Sequence, residues 1–95
     1  MSVKFKDKSA KVVVVDANGP LRQLISESIR GLGFEDVSTQ SNIADLLNYL
    51  ETEDADWVLV SMMQDQPVNA LHLLKIISEN PSLKHVRVTL ALEED

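Results

Sequence analysis

Two short stretches of the chain contain only apolar residues. Val12–Val15 is a run of four valines, and Trp57–Val60 repeats the pattern later in the chain. A strand of a parallel sheet is buried on both faces, so its sequence is a continuous apolar run rather than an alternation. Both stretches are therefore predicted to be central parallel strands.

Around these runs, apolar residues recur at the three- and four-residue spacing of amphipathic helices. Asn18 can cap the first helix and Pro20 suits its first turn. Gly31 and Gly33 are expected to end that helix, and Ser41 is the expected N-cap of the second. The apolar stripes of the three predicted helices are Leu21, Leu24, Ile25, Ile29 and Leu32; Ile43, Leu46, Leu47 and Leu50; and Ala70, Leu71, Leu73, Leu74, Ile76 and Ile77.

Polar segments separate these elements. The acidic stretch Glu51–Asp56 is expected to be a loop, and a second polar loop is expected to contain Pro67. The third helix should end at Asn80, because the residue before Pro81 is disfavoured in helical geometry.

Two further strands are predicted with weaker patterns. One lies around Asp36–Thr39 and the other at Val86–Ala91. In the second, Val86, Val88 and Leu90 alternate with Arg87, Thr89 and Ala91, which indicates that one face of this strand is less buried than those of the apolar runs. Arg87 and Thr89 could thus meet solvent, a partner chain or a further segment.

The alternation of strands and helices predicts an α/β fold, a doubly wound parallel sheet with the order β1-α1-β2-α2-β3-α3-β4 along the chain. Reactive sites of such sheets lie at the carboxyl ends of the strands. Here those ends are Asp16, Ser61 and the region after Leu90.

The net charge is −6, but it is unevenly distributed. Residues 1–10 form a basic N-terminal arm ahead of a single acidic domain at 11–95. An acidic body without clustered Lys and Arg argues against nucleic-acid binding. Without cysteine the chain has no disulfides or thiolate sites. There is no signal-peptide core and no long apolar run, so no membrane association is expected and the cytoplasm is the expected location.

Several segments together resemble the receiver domain of bacterial response regulators. Val12–Asp16 followed by Pro20-Leu21-Arg22 resembles the first strand and helix of that family, and Asp56–Ser61 resembles its third strand. Leu71–Lys75 is similar to the start of its third helix, and Val86–Asp95 to its fourth strand and the following loop. The resemblance covers residues 11–95 and implies the flavodoxin-like receiver topology, truncated before the fifth strand and helix.

The departures from the family pattern fall on the phosphorylation site. Receivers end their third strand in the phospho-acceptor aspartate, where this chain has Ser61. The second acidic residue after the first strand, which touches the magnesium ion in the family, is Ala17 here. The switch hydroxyl of the fourth strand aligns with Leu90. The loop Met62–Asn69 is longer than usual, and the family's lysine-bearing fifth strand is not among these 95 residues.

These losses predict that ordinary aspartyl phosphorylation does not occur, since it needs a nucleophile and a cation. No catalytic residue, cofactor or metal site is assigned, and the chain is not expected to be an enzyme. Asp16, Ala17, Asn18 and Asp65 are interpreted as a vestigial acidic pocket. Asp16 could be a relic cation ligand, but hydrogen bonding of the turn before the first helix is favoured. Ser61 is favoured as a neutral, hydrogen-bonded hydroxyl over a nucleophile.

His72 and His85 are expected at the surface rather than in a metal site, since neither has a carboxylate or second histidine at ligand spacing. Trp57 is expected to pack on the sheet.

Two functions remain open from the sequence. In the first, the chain is a phosphorylation-independent, receiver-like module for protein–protein interaction or dimerisation in a bacterial regulatory protein. In the second, its residual polar pocket binds a small ligand or cation and acts as a switch. A homodimer through the edge Val86–Ala91 is possible; alternatively, the natural protein continues into the rest of the receiver and an output domain.

Overall fold

Four parallel strands form one sheet in a computed structural model that describes residues 9–62 and 67–92. The strands are β1 (Lys11–Val15), β2 (Asp36–Gln40), β3 (Trp57–Met62) and β4 (Arg87–Leu92). Their spatial order is β2-β1-β3-β4, and every neighbouring pair is parallel. The predicted α/β fold with a doubly wound parallel sheet is confirmed.

Three α-helices alternate with the strands: α1 (Gly19–Gly31), α2 (Ile43–Thr52) and α3 (Pro67–Glu79), the last followed by a 3₁₀ turn at Pro81–Leu83. Asn18 caps α1 as predicted, its Oδ1 accepting the N–H of Leu21 at 3.1 Å. Gly33 takes a φ of 106°, a left-handed conformation that glycine adopts without strain, directly after α1.

The predicted boundaries are wrong at two helix starts. Asn42, not Ser41, caps α2, because Asn42 Oδ1 accepts the N–H of Asp45 at 2.8 Å. Pro67 lies in α3 rather than in the preceding loop. Proline suits the first turn of a helix, where its missing N–H would have no partner.

The acidic loop is also shorter than predicted. Glu51 and Thr52 still belong to α2. The helix ends at the C-cap residue Glu53, whose N–H donates to the carbonyl of Tyr49 at 2.8 Å. In the predicted loop Met62–Asn69, Met62 belongs to β3 and residues 67–69 belong to α3, while residues 63–66 lie outside the described residues.

The sheet separates two apolar clusters of unequal size. On one face, α2 and α3 pack over β1 and β3, and the buried set is Val13, Val15, Ile43, Leu46, Leu50, Ala55, Val58, Val60, Leu73, Ile77, Leu83 and Val86. On the other face, α1 packs over the smaller cluster of Ala10, Val12, Val14, Ile29, Phe34 and Val37. β1 is covered on both sides, as its sequence predicts. In β3, Val58 and Val60 are buried, but Trp57 and Leu59 on the α1 face are only half-buried, so that part of the prediction is wrong.

Within the described part of the chain, no helix combines the length and apolar character needed to cross a membrane.

Candidate functional site

The carboxyl ends of the strands bring Asp16 and Ser61 to the same edge of the sheet. Val15 pairs with Val60 in the β1–β3 ladder, so Asp16 and Ser61 occupy the next step of that register. Ser61 pairs in turn with Ala91 of β4. Neighbouring strands lie about 4.8 Å apart, which places these three positions in one row. Ala91 rather than Leu90 is the neighbour of Ser61, and neither carries a hydroxyl.

Asp16 is the buried polar residue of this row, with 2% of its surface exposed. Its Oδ1 accepts the N–H of Asn18 at 2.8 Å, which is the hydrogen-bonded turn favoured from the sequence. Its Oδ2 is buried and has no hydrogen-bond partner among the described residues. A buried acceptor without a partner is destabilising by about 1–3 kcal/mol, so a hydrogen-bond donor or a cation that reached this oxygen would be stabilised there.

The other residues of the predicted pocket contribute little there. Ala17 is exposed and has no ligand atom. The side-chain oxygen of Asn18 is occupied by capping α1. Asp65 lies outside the described residues, as do Met63, Gln64 and Gln66.

Arg22 is a residue of the strand ends that sequence reasoning missed. Its Nη1 donates to the backbone carbonyl of Asp16 at 2.8 Å and lies 3.5 Å from Ser41 Oγ. Arg30, two turns later on the same flank of α1, donates to the carbonyl of Val37 at 2.9 Å. Arg30 thus ties α1 to β2, whereas Arg22 ties α1 to the residue that follows β1. The only sequence signal is the eight-residue spacing that puts both on one helix flank.

The polar side of β4 meets Trp57. The indole Nε1 donates to Thr89 Oγ1 at 3.0 Å, and Arg87 pairs with Trp57 in the ladder. Trp57 packs on Phe34 with a centroid distance of 6.0 Å, and it is only half-buried. Thr89 is half-buried and Arg87 is exposed.

At the opposite end of the sheet, the fold brings carboxylates to His85, contrary to the expectation that His85 has none nearby. His85 Nε2 lies 2.7 Å from Asp54 Oδ1, and the ligand atoms of Asp54, Asp56 and His85 lie within 4.8 Å of one another. Asp56 Oδ2 already accepts the N–H of Lys11 at 2.8 Å. These contacts join the start of β1 to the segment before β4. His72 is exposed, as predicted.

Replacing His85 with alanine is expected to raise the pKa of Asp54 toward its ordinary value of 3.8. The hydrogen bond from His85 is the main cause of the lowered pKa of Asp54. Slight burial raises this pKa, whereas the hydrogen bond from the Ala55 N–H and the positive charges of His85 and Lys11 lower it further. Because the folded state holds the pKa below the unfolded value, the stabilisation is present above about pH 4 and is lost as pH falls through the folded-state pKa.

An NMR titration of the side-chain carboxyl carbons measures this pKa. The loss of stability at neutral pH should stay below about 1 kcal/mol, since both side chains are largely exposed. His72→Ala, an exposed histidine on α3, is the matched control and should leave Asp54 unchanged. An unaltered Asp54 titration in His85→Ala would contradict the assignment.

A solved structure described as the MaeR response regulator bound to beryllium trifluoride superposes on this chain with a TM-score of 0.74. It is 16% identical in sequence, and the match covers 90% of this chain and 69% of MaeR. The chain has the fold of a receiver domain. No protein-family model matches its sequence, and no curated protein matches it significantly. The likeness therefore concerns the receiver fold alone and assigns no role to individual residues.

The described residues of this receiver-like fold do not fit the family's magnesium site. Magnesium requires near-octahedral oxygen ligation, usually anchored by one or two carboxylates and completed by phosphate and water. The strand ends supply one carboxylate, Asp16, and one of its oxygens is already used by the Asn18 N–H. Ala17 and Ser61 add no negative charge beside it.

Proposed function

We propose that this receiver-like domain is a phosphorylation-independent protein-interaction module of a bacterial regulatory protein, acting in the cytoplasm without catalysis. The observation that carries the proposal is the composition of the strand ends. A receiver's chemistry requires an acceptor carboxylate and a bound cation, whereas Ser61 follows Val60 in β3 and Ala91 pairs with it. The fold is kept, whereas the described strand ends have Ser61 at the acceptor position and Asp16 as their one carboxylate, which supports the surface as the functional part.

A second function, a ligand-dependent switch, is favoured by one specific observation. Asp16 Oδ2 is buried and lacks a partner among the described residues. A cation, or a small molecule that donates a hydrogen bond, would satisfy this oxygen. The neighbouring groups that would hold the rest of such a ligand are few, since Ala17 is apolar and Asn18 caps α1. The interaction module is therefore the preferred proposal.

One NMR titration tests both functions. For the interaction module, addition of Mg²⁺ at about 10 mM with beryllofluoride should leave the amide resonances of Asp16, Ser61 and Ala91 unmoved, because the strand ends within the described residues offer Asp16 as their one carboxylate and Ser61 at the acceptor position. Clustered, saturable shifts at these three residues that need beryllofluoride would overturn the proposal.

The variant Asp16→Asn is the matched control, because its amide oxygen keeps the bond to the Asn18 N–H while the charge is removed. Shifts produced by Mg²⁺ alone that vanish in Asp16→Asn would establish the second function instead. If neither Mg²⁺ nor beryllofluoride shifts the resonances of the wild type or of Asp16→Asn, magnesium and phosphoryl analogues are excluded as ligands of this edge.

A further inference from the structure

A cavity of about 300 Å³ lies between α1 and β2, on the face of the sheet that α1 covers. Its lining includes Arg22 and Arg30, toward opposite ends of α1, with Gly19, Ser26 and Thr39 beside them. We call this cavity the α1–β2 groove. Its α1 residues are three or four positions apart, which puts them on one flank of the helix, so the groove runs along α1 rather than across it.

The groove is open because the apolar packing beneath α1 stops short of it. Val37 of β2 is buried in the smaller cluster, and Thr39, two residues later, points to the same face of the sheet but is exposed. On the helix side, Ser26 is buried and its Oγ donates to the carbonyl of Gln23 at 2.9 Å. Both elements thus line the space with polar side chains, which favours a polar ligand over an apolar one.

Backbone carbonyls, rather than carboxylates, hold the two guanidinium groups in place. Arg22 Nη1 donates to the carbonyl of Asp16 at 2.8 Å, and Arg30 Nη2 donates to that of Val37 at 2.9 Å. A guanidinium donates through Nε and both terminal nitrogens, and the remaining nitrogens have no hydrogen-bond partner among the described residues. Neither arginine forms an ion pair within that part of the chain. Both groups are therefore oriented before any ligand binds, and their positive charge is uncompensated.

The charge of the groove is opposite to that of the chain. The net charge of the chain is −6, whereas the charged residues that line the groove are Arg22, Arg30 and Glu27. Glu27 Oε1 accepts a hydrogen bond from Gln23 Nε2 at 3.2 Å instead of pairing with an arginine. The first turn of α1 contains no acidic residue, so the positive end of the helix dipole adds to the potential beside Arg22. The groove therefore favours an anionic ligand.

The two carbonyls also set the distance between the guanidinium groups. Val37 pairs with Val12 in the β1–β2 ladder, and Asp16 follows Val12 by four residues, which is about 13 Å along the strand. A single phosphate or carboxylate is too small to contact both groups. A ligand that lies between them needs two anionic groups about 5 Å apart, since a hydrogen bond of about 3 Å and part of a guanidinium group occupy each end.

We propose that the α1–β2 groove binds a small molecule with two anionic groups, phosphate or carboxylate, one at each arginine. A planar guanidinium group matches either kind of anion through paired N–H···O bonds. The groove is lined by α1 and β2, whereas the row of Asp16, Ser61 and Ala91 belongs to the ends of β1, β3 and β4. The proposal therefore goes beyond the interaction function and does not depend on it.

An NMR titration with tripolyphosphate and with glutarate, at about 150 mM NaCl and without Mg²⁺, tests the proposal. One of these probes should produce saturable amide shifts at Gly19, Ser26 and Thr39, with a Kd on the order of 1 mM. Orthophosphate and acetate, which have a single anionic group each, should bind at least about 10-fold more weakly because they reach one arginine. The probe that binds identifies phosphate or carboxylate as the anionic group.

Variants of the charged residues provide a second test. Arg22→Gln and Arg30→Gln should each weaken binding by about 10-fold, since each removes one charge-assisted contact. Arg87→Gln, which changes an exposed arginine of β4, is the matched control and should bind like the wild type. Glu27→Gln should tighten binding by about 3-fold, because it removes a negative charge from an exposed position. Circular dichroism verifies that each variant is folded.

Four outcomes would overturn the proposal. The first is the absence of saturable shifts with either two-group probe up to about 20 mM. The second is equal affinity for the single-group anions, which would contradict contact with both arginines. The third is a loss in Arg87→Gln as large as that in Arg30→Gln, which would mean that the anion binds through overall charge. The fourth is a set of shifts at Ser61 and Ala91 in place of Ser26 and Thr39, which would put the anion at the strand ends.

Discussion

Substituting Ala17→Asp and Ser61→Asp together is expected to make Mg²⁺ a strong stabilising ligand of this domain. Both positions adjoin Asp16, the first by sequence and the second by the β1–β3 register. Three carboxylates would then converge on one edge of the sheet. Without a cation their mutual repulsion should destabilise the fold by about 1–3 kcal/mol.

Mg²⁺ should reverse this loss because it binds the folded state only. At a free concentration of about 100 times its dissociation constant, a ligand adds about 2.7 kcal/mol to the free energy of unfolding. For a domain of this size, that corresponds to a rise of about 10–20 °C in Tm. Thermal unfolding with and without Mg²⁺ measures the effect, and the wild type should show almost none.

The uncharged pair Ala17→Asn with Ser61→Asn is the matched control, since it changes size similarly but adds no negative charge. It should respond to Mg²⁺ no more than the wild type. If the acidic double variant gains nothing from Mg²⁺, the three positions do not converge, and the row inferred from the strand register is wrong. If the wild type gains as much, the incomplete cation site on which the proposed function depends is in fact complete.

The order of elements could be predicted from the sequence because each signal is local. Four successive valines predict a strand that is covered on both faces, and the apolar residues from Ile43 to Leu50 recur with the period of an α-helix. The boundary at α2 was wrong because Ser41 and Asn42 are both competent caps. Only the backbone decides between them: the carbonyl of Asn42 accepts the N–H of Leu46 at 3.1 Å.

The site was predictable only where the topology itself fixes it. Asp16 and Ser61 were placed together because the carboxyl ends of parallel strands meet at one edge. The contact of His85 with Asp54 joins residues 31 positions apart and depends on where the segment before β4 crosses the start of β1. Arg22 could not be foreseen either, because its partner is a backbone carbonyl and any residue has one. Contacts between side chains and distant residues of this kind cannot be predicted from the composition or from the spacing of apolar residues.

Leu46→Ala is expected to destabilise the domain by about 3 kcal/mol, within the range of 2–5 kcal/mol for buried leucine. Leu46 has no exposed surface and belongs to the larger cluster with Val13 and Val15 of β1. The substitution removes apolar contacts and leaves a cavity that the flanking strand cannot fill. For a small domain with about 5–15 kcal/mol in total, this is a large fraction of the stability.

Leu47→Ala is the matched control, since it is the same substitution one residue later in the same helix. Leu47 is only half-buried against the cluster, and its loss should be about 1 kcal/mol. Urea unfolding of both variants measures the difference, with equal m-values showing that the folded and unfolded states are otherwise alike. Equal losses at the two positions would mean that α2 is rotated about its axis.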